Sequence, residues 1–134
     1  TGDDGIVTAF PNNGLGNQLN QVARIIRARQ TLGVSRQIFF VSQGGYDNHD
    51  GLLAAHQGLL TTLNGALSAF YDATIELGME NAVTTFTESD FNRTFGPNGN
   101  AGTDHAWGGH HVVLGGAVNG GRMFGSFPNL ALQG

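Results

Sequence analysis

The spacing of apolar residues divides the chain into helix, short apolar run, longer helix and second short apolar run. Leu15, Leu19, Val22, Ile25, Ile26 and Leu32 recur mostly at three- and four-residue steps. At about 100° per residue these positions form one stripe, which predicts an amphipathic helix over residues 15–32. Gly33 supplies the left-handed residue that commonly follows a helix. Arg29 falls on the stripe but in its last turn, where a cation meets the negative end of the helix dipole, so a structural role is expected for it. Over residues 52–77, Leu52, Leu59, Leu60, Leu63, Leu67 and Phe70 share a face opposite Thr61, Gly65, Ser68, Asp72 and Glu76, and Gly78 follows. This is a second helix, with Asp50 as its expected N-cap. His56 sits within the Leu face and is expected to be largely buried and hydrogen-bonded inside the protein, either to a loop group or to a metal.

Residues 37–43, centred on Ile38-Phe39-Phe40-Val41, and residues 82–87 are short apolar or β-branched runs, the pattern of strands buried on both faces. The order helix, strand, helix, strand predicts an α/β fold: a mostly parallel sheet with flanking helices. Residues 37–43 and 82–87 should then be neighbours or near-neighbours, joined by a right-handed crossover through the 52–77 helix. Asn119-Gly120, between extended runs at 111–118 and 122–124, signals an added C-terminal β-hairpin. Residues 1–14, rich in turn formers, read as an irregular lead-in. The chain opens on Thr1 and its last stretch has no capping element, so residues 1–134 are expected to be a single incomplete domain.

Composition narrows the partners. Charged residues make up only 12% of the chain, the formal net charge is -4 and every basic side chain is Arg, so no basic surface exists to neutralise nucleic-acid phosphates. No apolar run approaches the roughly 20 residues of a membrane span. The absence of cysteine excludes disulfides and thiolate sites, leaving His and carboxylate as the ligands for any metal.

In an open parallel sheet, ligands bind beyond the carboxyl ends of the strands, where loops converge. Asp47, Asn48, His49 and Asp50 follow the first apolar run, and Glu88, Asp90 and Arg93 follow the second. A Gly- and Asn-rich loop then carries Asp104-His105 and, further on, His110-His111. Imidazole and carboxylate suit zinc, manganese or iron, and two such clusters meeting at one edge have ligands for two ions. The plain alternative is that polar residues gather on loops as turn formers, and Asp47 is as well suited to an Asx-turn. Arg93 either clamps a tetrahedral anion or pairs with Glu88 or Asp90. His110 and His111 abut an extended run, so at most one of them can face a common site.

Four segments are recognisable together: residues 39–49, residues 85–93, Gly102-Thr103-Asp104-His105-Ala106-Trp107-Gly108, and His110-His111-Val112-Val113-Leu114 with Gly115-Gly116. In order and spacing they resemble the bacterial family called domain of unknown function 1501. That family is grouped by fold with the alkaline phosphatases, sulfatases and cofactor-independent phosphoglycerate mutases, and its members often carry a twin-arginine export signal. The resemblance implies the C-terminal portion of an alkaline-phosphatase-like core and a divalent ion, zinc or manganese. The metal ligands would be Asp47, His49, Asp90, Asp104 and His105, with Arg93 as a catalytic cation. It further implies a small-molecule phosphate or sulfate ester as substrate, the remainder of its own domain as partner, and a periplasmic or extracellular location. The chain departs from the family pattern at Tyr46, Asn92 and Ala106, where Trp, Gly and Gly are typical. No segment clearly supplies the upstream nucleophile, for which Asp3, Asp4 and Thr8 are candidates by default. The expected function is therefore part of a metal-dependent phosphate or sulfate ester hydrolase. The alternative is a non-catalytic extracytoplasmic binding or assembly module.

Overall fold

Asn13 starts the first helix because a short side-chain carbonyl on an extended residue reaches the orphan amides of a first turn. Its Oδ1 accepts the Gly16 amide at 2.8 Å. The computed structural model describes residues 5–106 and 108–126; Asp3, Asp4, Trp107 and residues 127–134 lie outside that range. Helix α1 (Gly14–Arg27) buries Leu15, Leu19, Val22, Ala23 and Ile26, as the periodicity requires. The helix expected to run on to residue 32 is instead broken at Ala28 (φ −77°, ψ 1°) and resumes as the single turn α2 (Arg29–Leu32). Gly33, at φ 65°, folds the chain back so that its amide reaches the Gln30 carbonyl at 3.1 Å and that of Val34 the Arg29 carbonyl at 3.3 Å. The Arg29 side chain donates to the Ile26 carbonyl at 3.2 Å, adding to the backbone donor that this acceptor receives at the helix end.

Helix α3 (Leu52–Glu76) packs on α1. Its buried positions Ala66, Ala69, Phe70 and Ala73 combine three small side chains, which let two helices approach closely, with one ring that fills the remaining space. Phe39, Val41, Leu63 and Leu67 close over this core. The helix ends as expected: Gly78 (φ 63°) lets its own amide reach Ile75 at 2.9 Å and that of Met79 reach Thr74 at 2.8 Å. The Leu face of the first turns is not buried throughout, since Leu60 is 52% exposed. The α3 side of the core begins at Leu63, and His56 lies before it. His56 is accordingly only partly buried. Its ring meets Tyr46 edge-on at 5.8 Å, and its shielded Nε2 has no hydrogen-bond partner among the described residues. This corrects the expected burial and internal hydrogen bond at that atom.

The chain forms a small α/β domain, but its sheet differs from the expected one. Strand β1 (Thr85–Phe86) pairs antiparallel with β2 (Val113–Leu114), in the register Thr85↔Leu114 and Phe86↔Val113. Thr87 extends the pair, donating its amide to the Val112 carbonyl at 3.0 Å and accepting the Val112 amide on Oγ1 at 3.0 Å. Residues 111–118 were expected to pair with 122–124 around Asn119-Gly120. They meet β1 instead, and residues 122–124 form no strand.

The parallel relation between residues 37–43 and 82–87 is not formed among the described residues. Phe39 and Val41 pack on the core, whereas Ile38 is 95% and Phe40 88% exposed. This alternation is one-sided burial, which a run of four consecutive apolar residues does not reveal. At Ser42 the place of a neighbouring strand is taken by a side chain. The Gln18 amide donates to the Ser42 carbonyl and accepts the Ser42 amide, each at 3.0 Å.

At its far end α3 holds the lead-in. Glu76 accepts the Val7 amide at 2.7 Å, the Thr8 amide at 2.8 Å and the Thr8 hydroxyl at 2.6 Å. A carboxylate in the last turn opposes the helix dipole; these three donors offset that. The Thr8 hydroxyl, followed by the Val7 and Thr8 amides, holds the Glu76 carboxyl below its ordinary pKa. No helix among the described residues is long and apolar enough to cross a membrane.

The core makes one plain prediction. Phe70 is 3% exposed and belongs to the α1/α3 cluster, so Phe70→Ala should cost about 3–5 kcal/mol in urea unfolding. A loss below about 1 kcal/mol would mean that the α1/α3 contact is not the principal core.

Candidate metal centre

Two stretches of backbone zipped together build the site. The Thr103 amide donates to the Asn48 carbonyl at 3.2 Å, and the Gly51 and Leu52 amides donate to the Asn100 and Ala101 carbonyls at 3.2 and 3.0 Å. Loop 46–52 and loop 100–103 thus run side by side at the start of α3. This arrangement corrects the expected Asp50 cap. The N-cap is Gly51 at φ 49°, with no side-chain cap bond, because carbonyls of the second loop already receive the amides at the helix entry. Gly102 is required at its position: a Cβ there would fall on the carbonyl carbon and oxygen of His49 and the amide nitrogen of Asp50, which are backbone atoms that cannot swing aside. A second zipper folds the long loop back on itself. The Thr94 amide donates to Asp104 at 2.8 Å and the Ala106 amide to Asn92 at 3.0 Å.

The zippers bring Asp47, His49, Asp104, His105 and Arg93 together. One oxygen, Asp47 Oδ1, has three nitrogens around it: His49 Nε2 and His105 Nε2 at 2.8 Å and Arg93 Nη1 at 2.9 Å. On its other side His49 places Nδ1 2.9 Å from Asp104 Oδ1, which also accepts Asn98 Nδ2 at 3.2 Å. Phe91 stacks on the His105 ring at 4.3 Å and 11°, fixing its plane. Hydrogen bonds from His105 and then Arg93 hold the Asp47 carboxyl down to about 2. Those from His49 and then Asn98 lower that of Asp104. Asp90 is exposed and stands outside the group. His111 is elsewhere, its Nδ1 3.5 Å from Thr87 Oγ1 on the antiparallel pair.

Arg93 has neither of its two expected local partners. Its Nε donates to Thr103 Oγ1 at 2.8 Å, Nη1 to Asp47, and Nη2 to the carbonyls of Asn48, at 2.7 Å, and of Thr103. Four of the five guanidinium N–H donors are thereby committed to the two loops, and the side chain is only 16% exposed. Asn98, which is not among the expected site residues, also braces the centre. Its Nδ2 donates to the His49 carbonyl at 2.9 Å and its Oδ1 accepts the Asn100 and Gly102 amides, each at 3.0 Å. Pro97-Asn98-Gly99 signals the turn, but nothing in it signals the reach across to His49.

The donor set fits a divalent ion. Asp47, His49 and His105 each offer a ligand atom, all within 4.8 Å of one another. Ligands of one ion with bonds of about 2 Å lie roughly 3–4 Å apart, so closure around an ion needs only small adjustments. The Asp47, His49 and His105 side chains are each half exposed, at 55%, 50% and 50%, which leaves coordination positions facing solvent. Thr8 cannot serve this centre. It is bound to Glu76 at one end of α3, while the centre adjoins Leu52 at the other, about 36 Å away along a 25-residue helix.

Two measurements test this geometry. Both carboxyls are lowered from an ordinary 3.8, Asp47 to about 2, so their contribution to loop order is complete above about 3.8 and lost as pH falls through the lowered values. The side-chain carboxyl ¹³C resonances of Asp47 and Asp104 should undergo their protonation shift only below about pH 4, that of Asp47 at about pH 2; a protonation shift completed by pH 4 would contradict the ion-paired loops. Gly102→Ala should force the loops apart and destabilise the chain by about 1–3 kcal/mol in urea, and a neutral result would refute the close backbone approach.

Residues 7–133 match the family described as "Protein of unknown function (DUF1501)". No curated protein and no solved structure matches the chain. Since the family match spans nearly the whole sequence and all four of the segments that carry the resemblance, the chain belongs to the DUF1501 family.

Proposed function

We propose that this chain carries the divalent-metal centre of a hydrolase acting on small phosphate or sulfate esters, as the C-terminal portion of an alkaline-phosphatase-like domain in an exported bacterial protein. The observation that carries the reading is the meeting of Asp47 Oδ1 with His49 Nε2 and His105 Nε2 at 2.8 Å, from two loops 55 or more residues apart in sequence. Two imidazoles and a carboxylate suit zinc or manganese. When bound, such an ion supplies Lewis-acid polarisation of an ester oxygen and activation of water. Of the chain's own residues, Asp47 provides the anionic ligand, and His49 and His105 provide neutral nitrogen. Arg93 holds Asp47 in place and keeps one N–H donor in reserve for an anion.

A second reading is a non-catalytic binding or assembly module that keeps the ion. It is favoured by the commitment of nearby hydroxyls: Thr103 Oγ1 accepts from Arg93, and Thr94 Oγ1 accepts the Asp104 amide while donating to the Gly96 carbonyl. Metal analysis of the purified protein, with nitrophenyl phosphate and sulfate turnover, separates the two. His105→Ala should lower bound metal and hydrolysis together. Metal without turnover supports the module. Unchanged metal content in His105→Ala would remove the basis of both.

A further inference from the structure

We infer that Asp104, at the back of His49, is a positioning residue rather than a ligand: it fixes His49 in the Nδ1–H form and so aims a bare Nε2 at the ion. The inference rests on the metal-binding part of the proposed function and assigns Asp104 a role different from the one its place beside His105 suggests.

An ionised carboxylate can only accept hydrogen bonds. Asp104 Oδ1, which already receives Asn98 Nδ2, lies 2.9 Å from His49 Nδ1, so the ring proton belongs on Nδ1. The same rule would call for a proton on Nε2, which faces Asp47 Oδ1 at 2.8 Å, but that oxygen already accepts from Arg93 Nη1 and His105 Nε2. A neutral His49, with one ring proton to place, therefore keeps it on Nδ1 and presents a lone pair from Nε2. Two lone pairs at that distance repel, and a cation between or beside them turns the repulsion into coordination. A carboxylate behind the non-ligating nitrogen of a metal-binding histidine is the arrangement that sets ring orientation and raises ligand basicity. Asp104 is not among the three residues whose ligand atoms gather within 4.8 Å; its carboxylate meets the far side of the imidazole.

His105 is different. Its Nε2 also lies 2.8 Å from Asp47 Oδ1, but Phe91 and His49 stack against the ring faces and no carboxylate holds its Nδ1 among the described residues. In the metal-free chain the His105 proton therefore sits on Nε2, donated to Asp47, and must move to Nδ1 before this nitrogen can bind an ion. One histidine is set for metal in advance and the other is switched by it.

The test is zinc titration calorimetry at neutral pH on the whole chain, as wild type, Asp104→Asn, Asp104→Ala and His105→Ala, with ¹⁵N spectra of the ring nitrogens in the zinc-free proteins. Wild type should bind zinc and His105→Ala should not. Asp104→Ala should bind about 10- to 100-fold more weakly, and Asp104→Asn should recover part of the loss, since an amide oxygen still accepts from Nδ1–H. In zinc-free wild type, His49 should show the Nδ1–H form and His105 the Nε2–H form, with the His49 preference lost in Asp104→Ala. If Asp104→Ala abolishes binding as fully as His105→Ala, Asp104 is a ligand and the inference is wrong. Unchanged affinity with an unchanged His49 tautomer also overturns it. A wild type that binds no zinc while His49 is still in the Nδ1–H form defeats the metal reading itself, a failure the ring spectra keep separate. Should Asp104→Ala fail to fold, Asp104→Asn and the wild-type spectra carry the same decision.

Discussion

The guanidinium of Arg93 is the constraint on which the centre depends. Its planar fork spans two loops, the first lying 45 residues or more from Arg93 in sequence, whose carbonyls and carboxylate would otherwise face each other without a cation. Bonds to Thr103, Asn48 and Asp47 use the fixed angular spread of the donors, which a lysine ammonium on a flexible stem cannot reproduce. A guanidinium also stays charged under all ordinary conditions. The two carboxylates on either side of His49, Asp47 and Asp104, thus lie near a fixed positive charge whether or not any ion is bound.

The helices supply the platform beneath this ion-paired layer. Ala66, Ala69 and Ala73 bring α3 close to α1, and the entry of α3 is tied to the second loop through the Gly51 and Leu52 amides. Packing and site are therefore linked by backbone bonds at the first turn of α3 and, further along the helix, by Gln43, whose Nε2 donates to the Leu59 carbonyl at 3.0 Å. His56, with its shielded Nε2 and its edge contact to Tyr46, marks the border between the helix core and the loop layer.

The helices were legible from spacing because a 3.6-residue period over three or more turns leaves little choice of face, and Gly33 and Gly78 fall where left-handed residues must. That Asp47, His49, Asp104, His105 and Arg93 would come together was legible through the motif resemblance and the scarcity of other ligands, whereas Asp90, expected with them, stands outside the group. Their partners were not legible. Arg93 was weighed against Glu88 and Asp90, its neighbours in sequence, while the carboxylate it meets is brought near by the zipper of Thr103 on Asn48. Asp50 looked like a cap because it precedes the helix. Whether it acts as one depends on what else reaches those amides, and the Ala101 carbonyl arrives from a loop far along the chain. The one-sided burial of residues 37–43 and the pairing of β1 with β2 are likewise non-local facts, invisible in a run of apolar letters.

The exposure of Ile38 and Phe40 bears on the colloidal behaviour of the protein. Between Arg36 and Asp47 the chain carries no charge and no proline. The outward face of its apolar stretch is bare, and no backbone partner serves residues 37–41 among the described residues. Segments of this kind seed strand-to-strand association between molecules when charges or prolines do not blunt them. Gln18, by occupying both backbone groups of Ser42, closes one end of that template and shortens the stretch over which two molecules can register. Among the described residues the stretch is restrained at this surface by the Gln18 amide at one end and by the packing of Phe39 and Val41 on the core beneath it.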